Sequence, residues 1–128
     1  MTKNVSAVTF FVDDYDNSIN YFTEVLGFTL TEDKTNGEDN RFVLVTPKGG
    51  NTSLLLAKAK SDEEKLLVGR QAAGKVFLIL NTDDFWRDHK QFTAKGVKFL
   101  ETPREEVYGI VAIFEDCYGN KWDLIQNA

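Results

Sequence analysis

The sequence has 128 residues, of which 42% are hydrophobic and 27% are charged, as is ordinary for one globular domain. Its formal net charge of -5 disfavours nucleic acid as a partner, because phosphate binding requires clustered lysine and arginine. The single cysteine, Cys117, excludes an intrachain disulfide and suits a reducing compartment, so we expect a cytoplasmic protein. We expect no signal peptide and no membrane partner, since no apolar run approaches the roughly 20 residues of a span.

The first half of the chain predicts a strand, a helix and three further strands. The β-branched and aromatic run SAVTFFV (6–12) is typical of a strand. In DDYDNSINYFTEVLGF (13–28), turn and capping residues precede apolar residues at helical spacing, and Gly27 is placed to end the helix. The further strands are predicted at 28–32, within EDNRFVLVTPKGG (38–50) and within NTSLLLAK (51–58).

The second half repeats this order after a polar connector, 59–73, in which we expect one helical turn. A strand, a helix ending in glycine and three strands are predicted at 75–81, 82–96, 97–101, 108–116 and 121–126. The only histidine, His89, falls within the helix, and we interpret it as a surface or packing residue. Cys117 lies in a tight turn without a neighbouring histidine, which disfavours a catalytic thiol.

The two halves also align in sequence, which indicates an internal duplication. A shift of 68 residues aligns the first strands. A shift of 69 aligns the final turns, placing Gly50 on Gly119 and Asn51 on Asn120. We therefore predict two modules, 5–58 and 74–126, within a single domain.

Two segments carry a resemblance to a known superfamily. VDDYDNSINYFTEVLGF (12–28) passes from strand to helix and ends in Leu-Gly-Phe, and VAIFEDCYGNKWDLIQ (111–126) has a Gly-Asn turn before a strand. They resemble the vicinal oxygen chelate superfamily, which includes glyoxalase I, extradiol dioxygenases, fosfomycin-resistance enzymes and bleomycin-resistance proteins. The resemblance implies an α+β fold of two tandem βαβββ modules whose curved sheets form a cup. It also implies a homodimer.

The resemblance carries the metal-ligand positions of the family onto four residues of this chain, Ala7, Leu54, Lys75 and Asp123. Ala7 and Leu54 offer no donor atom, and a protonated Lys75 repels a cation. One carboxylate is a poor site for a divalent ion, so we expect no metal and no other cofactor.

The final strand raises a separate question, because Asp123 lies between Trp122 and Leu124. A metal ligand, half of an ion pair and a solvent-facing residue are the open roles. Lys75 is the expected partner of an ion pair, since an unpaired charge in an apolar cup is costly. The alternative is that both side chains meet only water. Lys75 and Asp123 are also the candidate catalytic residues, because apolar surroundings can lower the pKa of a lysine.

We expect a small-molecule ligand in an apolar cup, with a cup filled by side chains as the alternative. Alternation along the strands gives the expected ligand contacts, which are Thr9, Phe11, Arg41, Leu54, Lys75, Phe77, Tyr108 and Asp123. In RFVLV (41–45) the more apolar pair, Phe42 and Leu44, is predicted to face the helices. The alternate residues Arg41, Val43 and Val45 then face the cup, although a surface position for Arg41 is also open.

Two main classes of function follow. One is a binding protein of the resistance or sequestration kind, which the loss of three of the four ligand types favours. The other is a lyase, isomerase or dioxygenase-like enzyme that uses Lys75 and Asp123 or a non-standard metal site. A scaffold that only dimerises is a third class.

Overall fold

The computed structural model describes residues 1–37 and 40–128. The chain forms two compact units, Met1–Val68 (unit 1) and Gly69–Ala128 (unit 2), which divide within the predicted connector. Each unit combines one β-sheet with short helices, so the predicted α+β class is confirmed. The module limits 5–58 and 74–126 stay a prediction.

Unit 1 has a four-stranded sheet with the strand order β1-β4-β3-β2. β1 and β4 are parallel, and the other neighbours are antiparallel. Residues 38 and 39, at the start of the predicted third-strand segment, lie outside the described residues. The elements of unit 1 are β1 (Ala7–Val12), α1 (Tyr15–Asn20), a π-helical segment (Tyr21–Val25), β2 (Thr29–Thr35), β3 (Arg41–Thr46), β4 (Ser53–Lys58) and α2 (Asp62–Leu67).

Unit 2 repeats this topology, with the strand order β5-β9-β8-β6 and a parallel pair formed by β5 and β9. A short strand that the sequence did not predict, β7, also pairs with β8. The elements of unit 2 are β5 (Val76–Asn81), α3 (Phe85–Ala94), β6 (Lys98–Phe99), β7 (Arg104–Glu106), β8 (Gly109–Glu115) and β9 (Lys121–Asn127). Both units therefore have the element order that the sequence repeat predicts, with β7 as an addition.

Local side-chain and backbone features fix the limits of the two longer helical regions. The side chain of Asp14 accepts a hydrogen bond from the backbone N–H of Asn17 at 2.8 Å, and Asp84 does the same for Arg87 at 3.1 Å. These N-caps satisfy backbone donors that the first helical turn leaves free. At the other end, Gly27 has a φ of 74°, a conformation that favours glycine. Asp14 and Asp84 are thus capping residues.

The core of unit 1 lies where the first helical region covers its sheet. Phe22 packs edge-on against Phe10 of β1, with ring centroids 5.3 Å apart, and both side chains are fully buried. Phe10 pairs with Leu56, which pairs with Val43, so these side chains share the helix-covered face. Burying one side chain of this size contributes about 1.5–3 kcal/mol. The opposite side of this sheet is referred to below as the open face of unit 1.

The core of unit 2 is built in the same way under α3. Phe92 of α3 contacts Phe114 of β8 with ring centroids 5.5 Å apart, and Phe114 stacks on Trp122 of β9 at 5.7 Å. Trp122 and Leu124 are buried on this face. The opposite side of this sheet is the open face of unit 2.

The helices of residues 1–37 and 40–128 are all too short or too polar to cross a membrane.

Candidate functional site

The open face of unit 2 is centred on Asp123. In the sheet, Asp123 pairs with Ile79 of β5 on one side and with Ile113 of β8 on the other. Its neighbours Trp122 and Leu124 point towards α3, so alternation directs Asp123 to the open face. Ile79 is 65% exposed, which leaves an apolar side chain beside this carboxylate uncovered.

A charged network lies on the same face. Arg104 of β7 pairs with Val111 of β8, and Val111 lies on the same side of the sheet as Asp123. The guanidinium Nε of Arg104 donates to both carboxylate oxygens of Glu101 at 3.1 Å, and its Nη1 donates to Glu106 at 2.9 Å. Two carboxylates, those of Glu101 and Glu106, therefore hold the guanidinium of Arg104 in place.

The electrostatic environment of Asp123 follows from burial and from this network. Burial raises the pKa of the Asp123 carboxyl above its ordinary value. The positive charge of Arg104 lowers this pKa, and the negative charge of Glu101 raises it. Within the described part of the chain, no salt bridge reaches Asp123. Asp123 is thus a carboxylate in a partly apolar position, with a raised affinity for a proton.

Lys75 is not placed as the ion-pair hypothesis requires. It is exposed and precedes β5, and its backbone N–H donates to Ala72 at 3.0 Å. The salt bridges found in residues 1–37 and 40–128 include none between Lys75 and Asp123, and the charge that acts on Asp123 is that of Arg104. The predicted pair is therefore wrong.

A bulge explains why alternation failed at the start of β5. The register with β9 shifts between Val76 and Leu78, so Phe77 is the extra residue. Pairing assigns Ile79 to the face of Asp123, but it gives no such assignment to Lys75 or Phe77, so the ligand contacts predicted for these two residues do not follow from alternation. Phe77 is half-buried.

Leu54 lies on the helix-covered face of unit 1, which corrects its predicted inward position. It pairs with Val8 of β1 and Val45 of β3, and it is 5% exposed. The open face at this point of β4 belongs instead to Ser53 and Leu55. Leu54 is therefore unavailable as a ligand contact or as a family metal position.

The reason is a one-residue difference between the two final turns. β9 begins immediately after Asn120, whereas β4 begins two residues after Asn51. The shift of 69 that aligns the turns becomes 68 along the strands, and a slip of one residue exchanges the two faces of a strand. The residues of β4 that lie on the open face, as Asp123 does in β9, are consequently Ser53, Leu55 and Ala57, and not Leu54.

The predicted faces of β3 are also reversed. Val43 and Val45 are fully buried opposite Leu56 and Leu54, under the helical region, while Phe42 is 45% exposed on the open face. The prediction ranked residues by apolarity alone. The pairing of β3 with β4 decides which side chains of β3 are buried, because paired residues of neighbouring strands lie on the same face of the sheet.

Arg41 belongs to the helix-covered side, where it joins α1 to β2 and β3. Its guanidinium makes a two-point contact with Asp33, with Nε to Oδ1 at 2.8 Å and Nη2 to Oδ2 at 2.9 Å. Its Nη1 lies 2.9 Å from Asp16, and the group sits over the Tyr15 ring at 5.5 Å from the centroid. The predicted role of Arg41 as a cation facing the ligand is replaced by a structural one.

Thr9 and Phe11 alternate with the buried residues of β1 and therefore lie on the open face of unit 1. Thr9 pairs with Leu55, and Phe11 pairs with Ala57. In the sheet, Leu55 also pairs with Leu44 of β3. Together these residues give the open face of unit 1 an apolar centre.

Tyr108 lies in the turn between β7 and β8 and is 52% exposed. Hydrogen bonds raise the pKa of Arg104 above its ordinary value. The bond with Glu101 has the largest effect, followed by those with Tyr108 and Glu106. Tyr108 thus belongs to the charged network of unit 2. The ligand contact expected of Tyr108 stays a prediction.

Few donor atoms are present at the four positions to which the family resemblance carries metal ligands. Ala7 and Leu54 have no donor atom in their side chains, and neither has Leu55 on the open face of β4. Among the side chains that the structure describes, no group of three or more histidine, cysteine, aspartate or glutamate residues is placed to hold a metal ion.

Sequence analysis missed Arg104, Glu101, Ser53 and Leu55. β7 has three residues, too few for a strand pattern to be visible. The alternation of charges in ETPREE (101–106) was the available signal for the network. For Ser53 and Leu55, only the strand pairing identifies the face.

Comparison with known proteins places the chain among relatives of full length. Residues 4–124 match the profile of the Glyoxalase/Bleomycin resistance protein/Dioxygenase superfamily. A protein from Shewanella frigidimarina is 48% identical over 128 residues, which are 98% of this chain and 95% of the relative. The YetH protein of Bacillus subtilis is 26% identical over 123 residues, covering 94% of this chain and 95% of the relative.

Two solved structures are similar over nearly the whole chain. The crystal structure of UcmS2 has a TM-score of 0.81 and 30% identity, covering 98% of both chains. TnmS3, an antibiotic binding protein from Streptomyces sp. CB03234, has a TM-score of 0.78 and 28% identity, covering 99% of this chain and 98% of its own.

Proposed function

The chain belongs to the Glyoxalase/Bleomycin resistance protein/Dioxygenase superfamily, and from this premise we propose that it binds a small organic molecule for resistance or sequestration. The observation that carries the proposal is the exposure of one apolar side chain on each open face. Ile79 is 65% exposed beside Asp123 in unit 2, and Phe42 is 45% exposed in unit 1. Apolar side chains with a few polar groups are the usual composition of a ligand site.

The comparison with TnmS3 supports the class of ligand. That protein is described as antibiotic binding, and it is 28% identical to this chain over nearly the full length. An apolar or aromatic molecule of antibiotic size is therefore the proposed ligand.

The proposed binding uses side chains of the protein and no metal. At the four family positions, Asp123 alone carries an anionic oxygen. Apolar contacts with Ile79 and Ile113, together with the carboxylate of Asp123, are sufficient interactions for binding.

The alternative of a lyase, isomerase or dioxygenase-like enzyme stays a prediction. Lys75, its proposed base, is exposed rather than enclosed by apolar side chains. The apolar surroundings on which its proposed catalytic role depends are therefore missing, and this observation favours binding.

A homodimer and a cytoplasmic location are further proposals, and both rest on the family resemblance and on the lone cysteine. Sedimentation at micromolar concentration tests the first, because a monomer alone would contradict it. Fractionation of the producing cells tests the second.

Calorimetric titration with metal-free bleomycin, ethidium and anilinonaphthalene sulfonate tests the proposed function. We expect saturable binding of at least one probe, weakened about tenfold by Ile79→Ser, since a tenfold loss corresponds to about 1.4 kcal/mol. Leu66→Ser on α2 is the matched control, because Leu66 is 78% exposed and belongs to a helix rather than to either sheet.

Two results would contradict the proposal. One is the absence of saturable binding for all three probes, and the other is equal weakening by the Ile79 and Leu66 variants. Mass spectrometry of the recovered probe separates the two classes of function, because a chemically altered probe would favour an enzyme.

A further inference from the structure

Three hydroxyl groups form a chain across the open face of unit 1. Thr31 Oγ1 lies 3.0 Å from Thr46 Oγ1, which lies 2.6 Å from Ser53 Oγ. At its outer end the chain meets a backbone carbonyl, because Thr31 Oγ1 donates to the oxygen of Leu44 at 3.2 Å. The chain thus links β2, β3 and β4.

The carbonyl fixes the direction of every proton in this chain. A carbonyl oxygen only accepts, and each hydroxyl has one proton to donate. Thr31 donates its proton to Leu44 and must accept from Thr46. Thr46 then accepts from Ser53, so the proton of Ser53 is also committed.

Ser53 is left with acceptor capacity alone. Its hydroxyl oxygen keeps a free lone pair after donating to Thr46, and the residue is half-buried. A ligand group that approaches this oxygen must therefore bring a hydrogen-bond donor. An ether or carbonyl oxygen would meet a lone pair instead.

Apolar residues adjoin this acceptor on the same face. Ser53 pairs with Ala7 of β1, and the next open-face residue of β4 is Leu55. Leu55 pairs with Leu44 in the following row. The surface therefore presents one oriented acceptor at the edge of an apolar area, which suits a flat apolar body with a polar hydrogen at its rim.

We propose that Ser53 is the hydrogen-bond acceptor of a ligand subsite on the open face of unit 1, and that the ligand is an aromatic molecule bearing an O–H or N–H donor. The inference rests on the proposed function and adds the chemical class of the ligand. Phenols, anilines and aromatic alcohols belong to this class, whereas their methyl ethers and tertiary amines do not.

The matched probes 1-naphthol and 1-methoxynaphthalene differ in this donor. Two-dimensional amide NMR titrations of the full chain measure both affinities and locate the binding through the signals of Ser53 and Leu55. We expect wild-type protein to prefer 1-naphthol by about tenfold, because a partly desolvated acceptor is left unpaired by the ether.

Three variants test the direction of the chain. Ser53→Ala is expected to bind both probes with similar affinity. Thr46→Val has nearly the same shape and frees the proton of Ser53, so it is expected to strengthen binding of 1-methoxynaphthalene relative to wild type. Thr35→Val, at the end of β2 and outside the chain of hydroxyls, is expected to keep the wild-type preference.

The outcomes separate this inference from the function on which it rests. Equal affinity of wild type for both probes, or an unchanged preference in Ser53→Ala, would overturn the Ser53 subsite while leaving small-molecule binding intact. Failure of both naphthyl probes would also overturn it, even if bleomycin or ethidium binds. Failure of all five compounds would remove the proposed function as well.

Discussion

The indole Nε1 of Trp122 donates a hydrogen bond to Oδ2 of Asp116 at 2.9 Å, across the turn that precedes the final strand. The same carboxylate accepts from the backbone of Tyr118 at 2.9 Å and from the backbone and side-chain amides of Asn120 at 3.0 Å. Asp116 is 6% exposed. One buried carboxylate therefore organises the turn and fixes the direction in which β9, and with it Asp123, begins.

Replacing Asp116 with asparagine is expected to destabilise the protein by about 2–4 kcal/mol, because an amide N–H group would face donors that the carboxylate now satisfies. Urea unfolding followed by circular dichroism measures this change. Glu105→Gln, at an exposed position of β7, is the control and should lie within about 0.5 kcal/mol of wild type. An Asp116→Asn variant as stable as the control would show that the turn forms without its carboxylate.

Arg41 is expected to contribute to stability through its two-point contact with Asp33 and its contact with Asp16. Arg41→Gln should lower the free energy of unfolding by about 1–3 kcal/mol, since hydrogen bonds to charged groups are involved. Arg41→Lys should recover only part of this loss, because a lysine lacks the planar fork. Arg70→Gln, at an exposed position, is the control. Full stability of Arg41→Lys in urea would contradict the two-point geometry.

Gly27 and Gly69 have nearly equal φ angles, so alanine substitutions at these two positions distinguish steric crowding from conformational strain. Gly27 has a φ of 74° with open space beside it, whereas Gly69 has a φ of 77° and a Cβ there would lie 2.1 Å from the carbonyl oxygen of Tyr118. Gly27→Ala should cost about 1–2 kcal/mol, the strain of the left-handed conformation. Gly69→Ala should cost about 1–3 kcal/mol more, because the backbone must also move. Thermal unfolding of both variants measures the difference, and equal losses would argue against this close approach.

Asp123 and Asp33 are expected to respond to pH with opposite signs. The folded-state pKa of Asp123 is raised, chiefly by burial, so its ionisation opposes folding as the pH rises from about 4. Asp123→Asn should therefore gain stability relative to wild type between pH 4 and pH 7.

Asp33 has a lowered folded-state pKa, chiefly because of its hydrogen bond with Arg41. Its stabilising contribution is present above the unfolded-state pKa and is lost as the pH falls through the folded-state pKa. Asp33→Asn should accordingly be less stable than wild type at pH 7, and the deficit should shrink on acidification. Urea unfolding across this range checks both variants. Parallel pH profiles for the two would contradict the assigned environments.

The sequence by itself determined the family and, apart from β7, the order of the main elements. The capping residues before the first helix and the helix end at Gly27 depend on contacts within a few residues, so local patterns were sufficient to predict them. The repeated order of strand, helix and strands was also visible, because glycines and apolar residues recur at a nearly constant shift. The family resemblance built on that repeat is confirmed by the match over residues 4–124.

Only the tertiary structure decided which side chains the open faces present. A turn longer by one residue places Leu54 under the helices and Leu55 on the open face, and the pairing of β1 with β4 reveals it. Likewise, the charge near Asp123 is that of Arg104 because β7, β8 and β9 lie side by side, and not that of Lys75. Side-chain facing has a period of two residues, so it depends on strand register, which is set by partners distant in sequence.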